Sequence, residues 1–238
     1  MTNLPLLSHL VAGAFTFVFF WGAALSIKGG RPHRAWGKAF FLSLFPVGLS
    51  VGGILILRAS TFDPARMVQF VYLLLCLLTV GTVGWTAIAW KNDPARFRGL
   101  HFRILGPAMF VSGLIVLTAG GLARQPLAMI LSSIGLVFGG AMIRFAHFRG
   151  RVHPKWWLGW HLNAVLLLSS AVHGTLLAVL YRALVDPAGF DKAQLVTQPA
   201  TLLLALLLRI FIGARRGAPL GLQAPHPAPI RPMGQVAL

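Results

Sequence analysis

Acidic residues are nearly missing from this sequence: four aspartates, Asp63, Asp93, Asp186 and Asp191, stand against twenty-one lysines and arginines in 238 residues. None of the four falls inside an apolar run. That excludes a carboxylate proton relay, paired-acid catalysis and an aspartate-rich magnesium site within the membrane. Cysteine is scarcer still. Cys76 stands alone in an apolar segment, so the chain can build neither a disulfide nor a Cys-based zinc or iron-sulfur site. A glycine-rich phosphate loop with its lysine is also lacking, which removes that class of nucleotide site. Charged residues make up 11% of the chain and hydrophobic ones 57%, whereas soluble domains carry about 25% charged residues. The composition is that of a membrane protein.

Seven stretches are long and apolar enough to span a bilayer, which takes about 20 residues each. They are Pro5 to Ile27, Ala39 to Leu57, Met67 to Trp90, Ile104 to Leu122, Leu127 to Ala146, Trp156 to Tyr181, and roughly Val196 to Ala214. The first is longer than a signal peptide's apolar region and lacks a basic lead-in, so it reads as a retained anchor. The expected fold is an all-α polytopic bundle over residues 1–214. A Pro/Gly-rich disordered cytoplasmic tail is expected over residues 215–238.

Cations set the expected orientation, because Lys and Arg stay on the cytoplasmic side. The loops after spans one, three and five, with the C-terminal end, hold most of them, from Lys28 and Arg31 through Lys91, Arg144 and Lys155 to Arg216. The other side holds Arg58, Arg66, Arg124, Arg182 and Lys192. The N-terminus is therefore expected outside and the C-terminus inside. This bias accounts for the formal charge of +17 with membrane lipids as partners. Nucleic acid is excluded, since no soluble face gathers the cations.

Three aspartates share one tripeptide, Asp63-Pro64-Ala65, Asp93-Pro94-Ala95 and Asp186-Pro187-Ala188. An acid followed by proline is a helix start, the acid capping and the proline fitting the first turn. The basic loops repeat a phrase with glycine followed by histidine among cations, around His33, His101 and His153. The repeat suggests three tandem helical hairpins plus a seventh helix. Gly48, Gly52 and Gly53 in span two match Gly135, Gly139 and Gly140 in span five, and Gly106, Gly113 and Gly120 form a further stripe. All suit close helix contacts. Pro46 and Pro107 are expected to kink or break their spans. Trp156, Trp157 and Trp160 suit headgroup anchors at the start of span six, and Arg209 is expected to snorkel to the inner surface.

Histidine is the residue that carries chemistry here. His161 and His173 lie in one apolar run twelve residues apart, about 18 Å of rise and about 120° of rotation on a helix, so they cannot share a ligand. Counted from the span ends, His173 falls level with His9 near the outer surface. His161 falls on an inner level with His101 and, less deeply, His33. Two histidine levels near opposite faces are what a pair of b-type haem sites requires, each iron taking two imidazoles from facing helices. The expected pairs are His9 with His173 and His161 with His101, with Arg34, Arg98 and Arg103 near inner propionates.

The competing expectation is that intramembrane histidines bond neighbouring helices, for instance through Asn163, Ser169 or Ser170, while His33, His147 and His153 are interfacial polar tips. Copper would want a Met or Cys at suitable spacing, and none is present. A retinal Schiff base is excluded because span seven has Arg209 and no lysine.

The phrase Lys28-Gly29-Gly30-Arg31-Pro32-His33-Arg34-Ala35-Trp36-Gly37, running into an apolar helix, resembles a bacterial family of predicted multi-pass membrane proteins bearing a domain of unknown function. His9 early in span one, His33 in a His-Arg-x-x-Gly phrase and His101 in a basic loop match positions of that family. The likeness covers the first six spans and departs at Phe102-Arg103, where a more basic pair is expected. It implies a multi-pass protein of the bacterial inner membrane and no particular activity. Two functions from different classes follow from the residues. One is a haem b protein for electron transfer or respiratory-complex assembly. The other is a non-enzymatic accessory subunit packed against other membrane protein subunits. A carrier for a lipid or small neutral solute is a third class, disfavoured because the spans hold few polar groups beyond Gln69 and Asn163.

Overall fold

The computed structural model describes residues 4–61 and 63–220. Its helices are α1 (Leu4–Leu25), α2 (Arg31–Leu57), α3 (Pro64–Ala89), the short α4 (Pro94–Phe97), α5 (Leu100–Leu122), α6 (Pro126–Ile134), α7 (Gly140–His147), α8 (Trp156–Leu184) and α9 (Phe190–Arg216). A π-helical turn, Gly135–Gly139, joins α6 to α7. Seven helices are long and apolar enough to cross a membrane, with α6, the π turn and α7 counting as one. In chain order the spans alternate in direction, so one end of the bundle holds most of the cations. We call it the cation-rich end.

Packing is most extensive between α1 and α2, between α5 and the α6–α7 span, and between α8 and α9, while α3 lies centrally against α2, α5 and α8. Only Thr16 of α1 is buried. That helix is held to α2 by polar contacts: the Thr16 and Ser43 hydroxyls are 2.8 Å apart and His9 Nδ1 is 3.0 Å from Ser50 Oγ. Such contacts matter in lipid, where apolar surface gains nothing by leaving one hydrocarbon for another.

Two of the three Asp-Pro-Ala starts behave as expected. Asp63 and Asp93 each accept from the backbone N–H three residues on, at 2.9 Å, and open α3 and α4. Asp186 instead closes a turn, its Oδ1 accepting from Ala188 N–H, and Gly189 caps α9 three residues later. Proline breaks no span: α2 runs through Pro46 and α5 through Pro107. The second span starts earlier than its apolar run. Gly30 is its extended N-cap and Pro32 sits in its first turn, so Arg31, His33, Arg34 and Lys38 are helical rather than loop residues.

The glycine stripe of α5 packs as expected against the following span. A Cβ on Gly106 would stand 2.9 Å from Met142 Cβ, one on Gly113 3.1 Å from Ser132 O, and one on Gly120 3.0 Å from Ala128 Cβ. Opposite them, Gly135 and Gly139 touch the backbone of α5. Span two is mixed: a Cβ on Gly48 would stand 3.4 Å from Leu74 of α3, one on Gly53 would meet only Pro5, and one on Gly52 would have nothing within 4 Å. A π turn shifts the hydrogen-bond ladder and frees backbone groups. Tyr72 from α3 satisfies them, its hydroxyl accepting from Gly135 N–H at 2.7 Å and lying 2.9 Å from Leu131 O. Tyr72→Phe is expected to remove that bond and the one to Leu131 O, leaving Gly135 N–H only its contact with Ser132 O, a loss of about 1 kcal/mol measurable as a lower unfolding midpoint in detergent.

Two of the three tryptophans of α8 depart from the anchor expectation. Trp156 and Trp160 are 6% and 4% exposed, inside a ring cluster with Phe97, Phe102, Phe138 and Phe145. Only Trp157 keeps an interfacial position, with Lys91 Nζ 5.9 Å from its ring. The tail expectation is corrected in part. Arg215 and Arg216 belong to α9, and Gly217 ends it in the left-handed conformation (φ 62°). The rest of the expected tail, residues 221–238 with His226 and Arg231, lies outside the described residues.

Candidate imidazole site at the cation-rich end

A histidine nitrogen that faces a backbone carbonyl must carry the proton, because a carbonyl only accepts. His33 is the third residue of α2, and its Nδ1 lies 2.9 Å from Ala23 O. Ala23 is in the last turn of α1, whose carbonyls have no partner within the helix. His33 supplies one, and Lys28 Nζ supplies another, donating to Ala23 O at 3.1 Å and also to Ala24 O. Nδ1 of His33 therefore carries its proton, and its Nε2 has no hydrogen-bond partner among the described residues.

His161, in the second turn of α8, is held the same way by another helix: its Nδ1 donates to Gly84 O of α3 at 3.2 Å. Gly84 makes this approach possible. A Cβ there would stand 2.8 Å from both Ala164 Cβ and the Phe41 ring. The Phe41 ring centroid is 6.1 Å from that of His161. Gly37 lies one turn beyond His33 and one before Phe41 on α2, and the place its Cβ would take has no atom within 4 Å. Two imidazoles with Nδ1–H fixed on a carbonyl of a neighbouring helix therefore stand toward the same end of the bundle, and neither Nε2 has a hydrogen-bond partner among the described residues. Holding the far ring nitrogen on a carbonyl is how ligating histidines are commonly oriented.

The expected pairs are not brought together. His173 sits among Phe17, Phe20 and Trp21 of α1, with ring centroids 5.0, 5.5 and 5.8 Å away. Both its nitrogens are occupied: Nδ1 donates to Ser169 O at 2.7 Å, and Nε2 accepts from Trp21 Nε1–H at 3.1 Å. His9 lies on Ser50 instead, twelve residues before Trp21 on the same helix, an axial distance of about 18 Å. His101 faces Trp90, at 5.2 Å between centroids, and its buried Nε2 has no partner. His101 and His161 meet α3 at Trp90 and Gly84, about 9 Å apart along its axis. Of the arginines, Arg34 is exposed next to His33. Arg98 donates to Phe148 O at 2.7 Å and Arg103 to Arg98 O at 3.3 Å, so both brace loops.

Among the described residues, no three of His, Cys, Asp or Glu gather as a metal site. His147 is exposed, with Nδ1 on Ile143 O within its own helix. Sequence missed one further group. Arg209 does not snorkel: it is 5% exposed between α8 and α9, with Nε on Asn163 Oδ1 and one terminal nitrogen on Pro219 O at 2.5 Å.

Compared with family models, curated proteins and solved structures, the chain matches none. Function is therefore argued from the bundle and its imidazoles alone.

Proposed function

We propose that this chain is a b-type haem protein of the bacterial inner membrane, with His33 and His161 as the axial pair at the cytoplasmic end, serving electron transfer or respiratory-complex assembly. The observation that carries it is the shared tautomer: each Nδ1–H is fixed on a carbonyl of a neighbouring helix, leaving each Nε2 lone pair free. Two imidazoles without a third ligand are too few for a protein-only zinc site. They suffice for an iron whose four equatorial nitrogens come from a porphyrin. Exposed Arg34 is the propionate partner. Membership of the bacterial multi-pass family that the Lys28–Gly37 phrase resembles goes with this proposal.

The test is the absorption spectrum of protein purified after haem-supplemented expression. A Soret band with a sharp reduced α-band is expected. It is lost in His33→Ala and His161→Ala and kept in His173→Ala, whose ring nitrogens are already bonded. No Soret band in the wild type, or loss only in His173→Ala, would refute the assignment.

One observation favours the accessory-subunit reading. Helix α1 is buried only at Thr16 and leaves, with α2, a lateral groove of about 610 Å³ lined by Ser8, Phe15, Leu42 and Pro46 among others. A partner's transmembrane helix would fit there. Stoichiometric co-purification with another membrane protein, without cofactor absorbance, would favour this reading over haem.

A further inference from the structure

Arg209 is a buried guanidinium without an anion. Its Nε and one terminal nitrogen meet neutral acceptors, Asn163 Oδ1 and Pro219 O, and its other terminal nitrogen is buried with no acceptor. A guanidinium carries five N–H donors and never loses its charge in a protein, so this one is left with an unmet donor nitrogen and, among the described residues, no counter-charge. The room around it is made by glycine. A Cβ on Gly159 of α8 would stand 3.4 Å from the guanidinium and 2.9 Å from Pro219 O, and Gly213 of α9 lies against the unpartnered nitrogen.

More cations ring the same place. Lys155, just before α8, donates from Nζ to Arg216 O at 2.8 Å. Lys28, in the turn before α2, is held below the usual lysine range by partial burial and, after it, by the Arg216 charge. Among the described residues no carboxylate pairs with them. The ion pairs among the described residues join Arg66 to Asp63 and to Asp191, at the opposite end of the bundle.

We infer that the α8–α9 cleft at the cation-rich end binds the phosphate of an anionic phospholipid headgroup, with Lys28, Lys155 and Arg216 at its rim and Arg209 at its floor. Like charges gathered where helices leave the membrane are stabilised by the phosphates at that depth, and basic clefts between spans are where acidic headgroups are held. Charge-assisted bonds from guanidinium to phosphate are among the strongest a side chain makes. Inorganic phosphate offers the same oxygens, but it has no acyl chains to lie along the exposed apolar face of α9, which includes Leu207 and Phe211.

The full-length protein in neutral detergent is melted with added phosphatidylglycerol, with phosphatidylcholine, or with inorganic phosphate. Phosphatidylglycerol is expected to raise the midpoint by about 4 °C, and the other two by much less. Arg209→Met risks misfolding, so the rim double variant Lys155→Gln/Arg216→Gln is the main probe. It is expected to lose more than half of the rise, while Arg144→Gln/Arg149→Gln, cations of the same end at and just after the end of α7, keeps it. An equal rise with phosphatidylcholine, an equal rise with inorganic phosphate, or an equal loss in the two double variants would each overturn the assignment.

Discussion

Trp160→Ala is expected to be the most damaging single truncation in this protein, lowering stability by about 3–5 kcal/mol. Trp160 is 4% exposed, and its ring lies 5.3 Å from Phe102, 5.5 Å from both Phe138 and Phe145, and 6.1 Å from Phe97. These rings come from α4, α5, the π turn and α7, so one side chain of α8 ties most of the cation-rich end together. In lipid the loss is not one of hydrophobic transfer. It is the loss of close ring contacts, whose dispersion energy no lipid chain can restore in a closed cavity. Unfolding by a denaturing detergent, followed by tryptophan-independent far-ultraviolet dichroism, measures it. Trp157→Ala, which removes a half-buried ring over Lys91, serves as control and is expected to move the midpoint little. Equal losses in the two variants would show that Trp160 is an anchor after all.

Gly139→Leu is expected to separate α5 from the span that follows it. An added Cβ at Gly139 would stand 2.8 Å from Phe110 N and 2.9 Å from Gly106 O. Both are backbone atoms and cannot swing aside. Overpacking of a tight core costs about 1–3 kcal/mol when side chains give way, and a helix backbone gives way less easily. We expect Gly139→Leu to fail to reach a folded, detergent-stable state. Gly52→Leu is the comparison, since nothing lies within 4 Å of the place where its Cβ would stand. That variant should melt like the parent, in the same detergent assay. If Gly139→Leu were tolerated and Gly52→Leu were not, the close seam would have to lie in α2 instead.

Much of the fold was legible because lipid imposes it. A chain in hydrocarbon must satisfy its backbone within each span, so seven long apolar runs become seven helices whatever their side chains. The stripe of Gly106, Gly113 and Gly120 was legible too, because its spacing puts all three on one face. The site was less so. His33 looked like a loop residue because cations hide the start of α2, although Gly30 followed by Pro32 marks a helix beginning there. Trp156 and Trp160 looked like anchors because tryptophan favours membrane surfaces, and nothing local says that Phe97 and Phe145 will close over them.

The misjudged level of His173 has the same root. Its depth was counted from Trp156 as though that residue marked the surface. Helix α8 has 29 residues, about 44 Å of rise against a hydrocarbon core of about 30 Å. Such a helix starts outside the slab or runs at a tilt, so His173 meets Trp21 rather than His9.

Composition and hydropathy by themselves determined the solvent, the seven spans, the cation-rich end and the lack of acidic residues inside the apolar runs, because each depends on what a residue is and not on what it meets. Only the tertiary structure decided which imidazoles share an end with a free nitrogen, and that Arg209 lies buried without an anion. Those outcomes depend on the rotation and axial offset of each helix. Packing against Gly84, Gly139 and the Trp160 cluster sets both, and neither can be read along the chain.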